Sequence, residues 1–208
     1  MNTFGHINYD IRRWIRKLKH SYEYVFFKRR IPRPYYVKWQ ILEKNFIEGA
    51  TCVETGTYLG ETTEFLSKRF SQVFSFEPYD KLATYNLTRF KARNNVNIIN
   101  SASELGLRSL LKELSGPVNF WLDGHYSGDG TFLSSEEQLS PILEEINSVV
   151  EKLNKNQDYV IAIDDARLFE GSGSGYPTIA KIKEFAAAYE LSFCISDDII
   201  VMKNSTCD

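Results

Sequence analysis

Acidic and polar side chains follow five successive predicted strands of this chain. These strand ends carry Glu54, Glu77, Asn100–Ser101–Ala102, Asp123 and the pair Asp164–Asp165. A single acid at a strand end usually caps a turn or a helix. In an open α/β sheet, however, the carboxyl ends of parallel strands meet at one edge, where ligands bind. Five polar ends on one edge therefore predict a charged ligand site.

A glycine-containing turn lies at the first of these strand ends. Residues 51–60, TCVETGTYLG, predict a buried strand that runs through a turn into a helix. Gly56 and Gly60 allow the backbone to approach a ligand closely, and the free N–H groups of the helix start point towards it. Glu77 lies seventeen residues beyond Gly60, a spacing that suits hydrogen bonds to ribose hydroxyls. We expect a nucleotide-like ligand here.

Short apolar runs alternate with segments of helical period, which is typical of parallel strands joined by crossover helices. We predict strands near 50–55, 73–77, 96–100, 117–123, 159–164, 191–195 and 198–203, and helices near 59–70, 79–94, 103–114, 141–155 and 177–189. The runs at 117–123 and 159–164 are apolar almost throughout, so we expect central strands there. Ser196–Asp198 predicts a turn, and hence an antiparallel hairpin at the sheet edge. The expected fold class is α/β, a doubly wound and mostly parallel sheet.

Composition and charge divide the chain into two parts. The 208 residues are 43% hydrophobic, enough for one globular domain with an extension. Residues 1–40 contain ten Lys or Arg against two acids, about +8, so the other 168 residues carry about −10 (15 basic, 25 acidic). We expect a basic helical extension over 1–45 and a ligand-binding domain over 46–208.

The basic extension has the pattern of an amphipathic helix. Its apolar residues at helical spacing are Ile11, Trp14, Ile15, Leu18, Tyr22, Val25 and Phe26, and its interleaved cations are Arg12, Arg13, Arg16, Lys17 and Lys19. One interpretation is a helix packed on the domain or on a second subunit, with its charges solvated. Another is contact with an anionic membrane surface or a lipid-linked acceptor. Nucleic acid is not expected, because the body is acidic and lacks a known binding module.

Cysteine spacing and hydropathy indicate the compartment. The three cysteines form no spaced pair, which favours a reducing environment. No apolar run reaches membrane-spanning length, and the N-terminus lacks the apolar core of a secretion signal. We expect a cytoplasmic protein, with peripheral membrane contact and homo-oligomerisation as open alternatives.

The segment Val53–Gly60 followed by Phe76–Glu77 resembles the cofactor-binding half of class I S-adenosylmethionine-dependent methyltransferases, over about residues 50 to 205. The resemblance implies a Rossmann-like fold with S-adenosylmethionine (SAM) as cofactor. It places Glu54 and Gly56 at the methionine end, with Thr57 and Gly60 in the same turn. It also places Glu77 at the ribose hydroxyls, and Ser101 with Ala102 beside the adenine.

A nicotinamide cofactor is the weaker alternative for this turn. Dinucleotide binding calls for Gly-x-Gly-x-x-Gly, whereas this turn has Gly-x-x-x-Gly. Glu54 would also repel a pyrophosphate, while it suits the ammonium group of an amino-acid moiety. A nicotinamide-dependent oxidoreductase and a non-catalytic Rossmann-like binding protein remain as alternative functions.

Three acids of the second half are similar to the metal ligands of metal-dependent O-methyltransferases, notably the macrocin-type sugar enzymes and the caffeoyl-CoA group. They are Asp123, Asp164 and Asp165. Carboxylates that converge repel one another unless a cation or protons compensate them, and oxygen ligands favour Mg²⁺ or Mn²⁺. In the alternative interpretation Asp165 pairs with Arg167, or one acid caps the following segment.

His125 is the candidate general base, because it follows Asp123 by two residues whereas His6 and His20 lie in the basic extension. A structural histidine is the alternative. The expected reaction is transfer of a methyl group to a hydroxyl of a small or glycan acceptor, assisted by a metal and by Asp123 and His125. Closure over the acceptor is expected from Tyr126, Phe132 and the loop 171–175, unless this is an ordinary surface loop.

Overall fold

The computed structural model describes residues 3–27, 34–124, 140–153, 157–171 and 175–204. The helices are α1 Thr3–Phe27, α2 Tyr35–Asn45, α3 Glu61–Ser67, α4 Asp80–Arg89, α5 Ser103–Leu110, α6 Ile142–Lys152 and α7 Ile179–Ala188, with a short 3-10 helix at Ala166–Leu168. The strands are β1 Thr51–Thr55, β2 Val73–Phe76, β3 Val96–Ile99, β4 Val118–Leu122, β5 Tyr159–Ile163, β6 Ser192–Ser196 and β7 Ile199–Lys203.

The strands form one sheet in the order β3-β2-β1-β4-β5-β7-β6. The first five strands in this order are parallel, whereas β7 is antiparallel to both β5 and β6. This confirms the doubly wound α/β sheet with an antiparallel edge hairpin. The predicted strands also coincide with the observed ones to within a residue or two, because each is a short apolar run bounded by polar residues.

The central strands β4 and β5 are buried along their whole length. Successive side chains of a strand point to opposite faces, so the sheet separates two apolar layers. Phe120 and Ile161 belong to one layer, together with helices α5 and α6. Trp121 and Ala162 belong to the other layer, which α2 covers. The sheet is thus covered on both faces, as the apolar runs predicted.

The parallel register brings the predicted ligand-binding ends together at one edge. Thr55, the last residue of β1, pairs with Phe76 of β2 and with Leu122 of β4. Leu122 in turn pairs with Ile163 of β5. The residues that follow these four positions therefore begin at the same level of the sheet, and we call this edge the carboxyl rim.

The N-terminal extension consists of two helices in the described residues. The pattern of apolar residues predicts α1, and the structure adds a second helix, α2, within the expected helical extension. The buried residues Ile41 and Leu42 attach α2 to the sheet. None of the described helices combines the length and the apolar character that crossing a bilayer requires.

Candidate functional site

The turn after β1 depends on a glycine at position 56. Gly56 has a φ of 84°, in the region that favours glycine. A Cβ at this position would lie 2.8 Å from the carbonyl carbon of Asp123, and closer still to its oxygen. The ends of β1 and β4 are therefore pressed together at the carboxyl rim, and only glycine fits between them.

The same turn ends at Gly60, which precedes α3 and has a φ of 71°. A Cβ there would lie 2.5 Å from Oδ1 of Asn86 in α4. The side chain of Asn86 also donates a 2.6 Å hydrogen bond to the carbonyl of Tyr58. Helix α4 thus fixes the shape of the turn.

Glu77 binds the backbone of this turn. Its Oε2 accepts a 2.7 Å hydrogen bond from the N–H of Tyr58, and its Oε1 accepts one of 3.0 Å from the N–H of Tyr79. Burial raises the pKa of Glu77 to about 7, although both hydrogen bonds oppose this shift. Each carboxylate oxygen has a second lone pair, so Glu77 can accept further hydrogen bonds from a ligand hydroxyl.

Glu54 lies fully buried beside the turn. Its Oε2 accepts hydrogen bonds from Thr63 Oγ1 at 2.5 Å and from Ser75 Oγ at 2.6 Å. The hydroxyl of Thr57 lies 2.6 Å from that of Ser75 and extends this network. Burial raises the pKa of Glu54 to about 8. A cation bound nearby would lower this pKa again and favour the ionised carboxylate.

The end of β3 contains a polar contact that the sequence analysis missed. Ser101 Oγ donates to the carbonyl of the buried Ala102 at 3.0 Å. The next residue, Ser103, donates to Oε1 of Glu145 at 2.5 Å. A Cβ on Gly124 would lie 3.5 Å from the same oxygen. The buried Glu145 of α6 therefore lies between the start of α5 and Gly124 at the carboxyl rim, whereas its position in the sequence indicates only an acid at the start of a helix.

The acids after β5 are paired with a lysine of α2. Nζ of Lys38 contacts Oδ2 of Asp164 and lies 3.3 Å from Oδ1 of Asp165. Burial lowers the pKa of Lys38, but the charges of Asp164, Asp165 and Asp123 outweigh this effect and raise it. Lys38 is therefore a part-buried ammonium at the carboxyl rim.

Asp165 also pairs with Arg167, as the alternative interpretation of the sequence proposed. Nη1 of Arg167 lies 2.7 Å from Oδ1 of Asp165 and also contacts Asp198. Asp165 has a φ of 56°, unusual for a residue with a side chain. Lys38 and Arg167 thus face three carboxylates, those of Asp164, Asp165 and Asp198.

A divalent metal does not fit these residues as they are arranged. Oδ1 of Asp164 accepts the N–H of Asp165 at 2.8 Å, while its Oδ2 contacts Lys38. Across the described ranges, no group of three or more His, Cys, Asp or Glu side chains is arranged to hold a metal ion. Asp123 belongs to the rim, and its charge acts on Lys38 and on Glu54.

Part of the predicted site lies outside the described residues. These residues are His125, Tyr126, Phe132 and positions 172–174 of the predicted closing loop. Their roles stay predictions.

Helix α1 covers the glycine turn with its basic side. The Arg16 guanidinium lies 5.0 Å from the ring centre of Tyr58. Arg13 lies 3.2 Å from Glu61, the first residue of α3, and Lys17 contacts the same carboxylate. Helix α1 thus contacts the domain, and these three cations face an acid and a ring of the body rather than solvent alone. The opposite net charges of residues 1–40 and of the rest of the chain indicate this attraction in the sequence.

Solved structures share the fold at low sequence identity. The 23S rRNA methyltransferase ErmE aligns with a TM-score of 0.51 and 14% identity over 82% of this chain and 67% of that one. YcgJ from Bacillus subtilis aligns with a TM-score of 0.51 and 10% identity over 77% of this chain and 70% of that one. SMU.1697c from Streptococcus mutans was solved in complex with SAH. It aligns with a TM-score of 0.48 and 14% identity over 83% of this chain and 97% of that one. No protein-family model matches the sequence, and no curated protein matches it.

Proposed function

We propose that this protein is a SAM-dependent methyltransferase. The observation that carries the proposal is the contact of Glu77 with the N–H of Tyr58, which fixes a carboxylate against the Gly56–Gly60 turn. The strand order reverses direction between β1 and β4, the position at which open α/β sheets bind their ligands. The fold shared with ErmE is consistent with this assignment.

The charge of the rim favours SAM over a dinucleotide. SAM carries a sulfonium and an ammonium group, whereas a nicotinamide dinucleotide carries two phosphates. Glu54 and Glu77 are buried next to the turn, and Asp123 follows the neighbouring strand β4. In their ionised forms, which a bound cation favours, these acids would attract the sulfonium donor and repel a pyrophosphate. A nicotinamide-dependent oxidoreductase is therefore the weaker function.

The reaction we propose is methyl transfer to a hydroxyl of a small or glycan acceptor. The acceptor oxygen attacks the methyl carbon, the carbon–sulfur bond breaks, and sulfur leaves as the neutral thioether of S-adenosylhomocysteine (SAH). The acceptor proton must also leave, and His125, which follows Gly124 in the sequence, is our candidate base. Lys38, rather than a divalent metal, compensates Asp164 and Asp165 in this proposal.

Calorimetric titration with SAM, SAH and NAD⁺, with and without Mg²⁺, tests the proposal. We expect SAM and SAH to bind, and Glu77→Ala to weaken binding by about tenfold or more, since a hydrogen bond to a charged group contributes about 1.5–3 kcal/mol. Glu113→Ala is the control, because Glu113 is exposed. Binding of NAD⁺ alone would support the oxidoreductase. Failure of all three ligands to bind would leave a non-catalytic binding protein.

A further inference from the structure

Helix α1 exposes the apolar side that an ordinary surface helix would bury. Seven large apolar side chains of this helix are each at least half exposed. They form the apolar stripe, which consists of Ile11, Trp14, Ile15, Leu18, Tyr22, Val25 and Phe26. Single exposed apolar residues are common on proteins, but a continuous stripe on one helix marks an interaction surface.

The orientation of α1 is set by its basic side. Arg13 and Lys17 bind Glu61, and Arg16 lies over the ring of Tyr58. Asp10, which lies 4.0 Å from Arg13 on the same helix, accepts a 2.6 Å hydrogen bond from Tyr85. These polar contacts hold α1 against the body while the stripe faces away from it. The stripe is therefore presented outward by a docked helix.

We propose that the apolar stripe docks this protein onto an anionic membrane surface, with α1 lying in the plane of the interface. Trp14, Tyr22 and Phe26 belong to the aromatic residues that favour the headgroup region. The cations Arg12 and Lys19 are exposed and lie on the same helix. At 1.5 Å per residue, the 25 residues of α1 extend over about 37 Å, long enough for several turns to contact the interface at once.

Charge favours a membrane over a second copy of the chain as the occupant. The exposed cations Arg12 and Lys19 lie on α1, so a symmetric contact through α1 would bring like charges together. An anionic leaflet attracts the same charge, with about 1 kcal/mol for each Lys or Arg near its surface. The stripe is also wider than the two-position seam of a coiled coil, because residues 14–15 and 25–26 both contribute pairs.

Co-sedimentation of the full chain with vesicles tests this inference. We expect binding to phosphatidylcholine vesicles that contain about 30% phosphatidylglycerol, and about tenfold weaker binding to phosphatidylcholine alone. Trp14→Glu and Leu18→Glu should each weaken binding to the anionic vesicles about tenfold. Leu105→Glu is the matched control, because Leu105 is an exposed leucine of α5. Equal thermal melting of the variants shows that they are folded.

Fluorescence gives a second measurement. The chain has three tryptophans, of which Trp14 is exposed and Trp121 is buried. Anionic vesicles should shift the emission to the blue in the wild type but not in Trp14→Phe. The inference is wrong if the wild type does not bind the vesicles, or if Leu105→Glu loses as much binding as Leu18→Glu. It is also wrong if light scattering finds a dimer that Leu18→Glu dissociates. SAM binding is a separate property, so its absence would leave this inference standing.

Discussion

Nζ of Lys38, in a helix of the N-terminal extension, lies 3.3 Å from Oδ1 of Asp165 and contacts Asp164 at the end of the fifth strand. A residue 126 positions before Asp164 in the sequence thus provides the cation of the carboxyl rim. The extension is therefore part of the site.

Replacement of Lys38 should strongly destabilise the protein. Lys38→Met keeps the length of the side chain but leaves the buried Asp164 without its cation, which typically costs about 3–5 kcal/mol. The free energy of unfolding in urea measures this effect. The exposed Lys112 provides the control Lys112→Met. The double variant Lys38→Met/Asp164→Asn should recover part of the loss. A loss below about 1 kcal/mol, the range of surface ion pairs, would show that the buried Asp164 does not depend on Lys38.

Gly56→Ala and Gly116→Ala separate backbone strain from steric overlap. Both glycines have a positive φ, 84° and 73°, so both variants incur a backbone cost of about 1–2 kcal/mol. A Cβ at position 116 meets nothing within 4 Å, whereas one at position 56 overlaps the backbone of Asp123. We expect Gly56→Ala to lose clearly more stability in urea unfolding and to lose SAM binding. Equal losses in the two variants would contradict the close approach of β1 and β4.

The buried carboxyl of Glu54 predicts a dependence of stability on pH. Its pKa is raised from 4.5 to about 8, so between these values the folded protein holds a proton that the unfolded chain releases. The contribution of Glu54 to the free energy of unfolding is thus fully present below about pH 4.5, and it is lost as the pH rises to about 8. The difference in unfolding free energy between wild type and Glu54→Gln should decrease from pH 5 to pH 8. The same comparison for Glu113→Gln should not change. A flat difference for Glu54 would refute the raised pKa.

The contacts of Glu61 predict which charges hold α1 in place. Arg13→Glu/Lys17→Glu replaces two cations that bind this buried carboxylate, so α1 should detach and its amides should exchange hydrogen faster. Lys19→Glu also reverses a charge of α1, but Lys19 is exposed, and its exchange should stay close to that of the wild type. Equal exchange in all three proteins would mean that these ion pairs do not anchor the helix.

The sequence predicted the sheet well because local patterns determine it. Apolar runs such as 118–122 and 159–163 identify central strands, and their carboxyl ends place Asp123 and Asp164 at one edge. Partners from distant segments were not predictable in this way. Lys38 and Glu145 reach the rim from α2 and α6, and no spacing in the sequence indicates that contact.

The orientation of α1 shows that ion pairs between distant segments can outweigh the orientation that an amphipathic pattern predicts. Its apolar period alone would place Trp14 and Leu18 against the core. The acidic body instead binds Arg13 and Lys17, so the apolar residues face outward. The opposite net charges of the two parts contained this information, but only the fold identifies Glu61 as the partner.

A crystal structure of the protein grown with SAM or SAH tests the central claim most directly. We predict that the ligand lies on the Gly56–Gly60 turn, with its ribose hydroxyls within hydrogen-bonding distance of the Glu77 carboxylate, about 2.5–3.0 Å. A ligand bound elsewhere, or a Glu77 carboxylate that contacts only the backbone of Tyr58 and Tyr79 in the complex, would contradict the account.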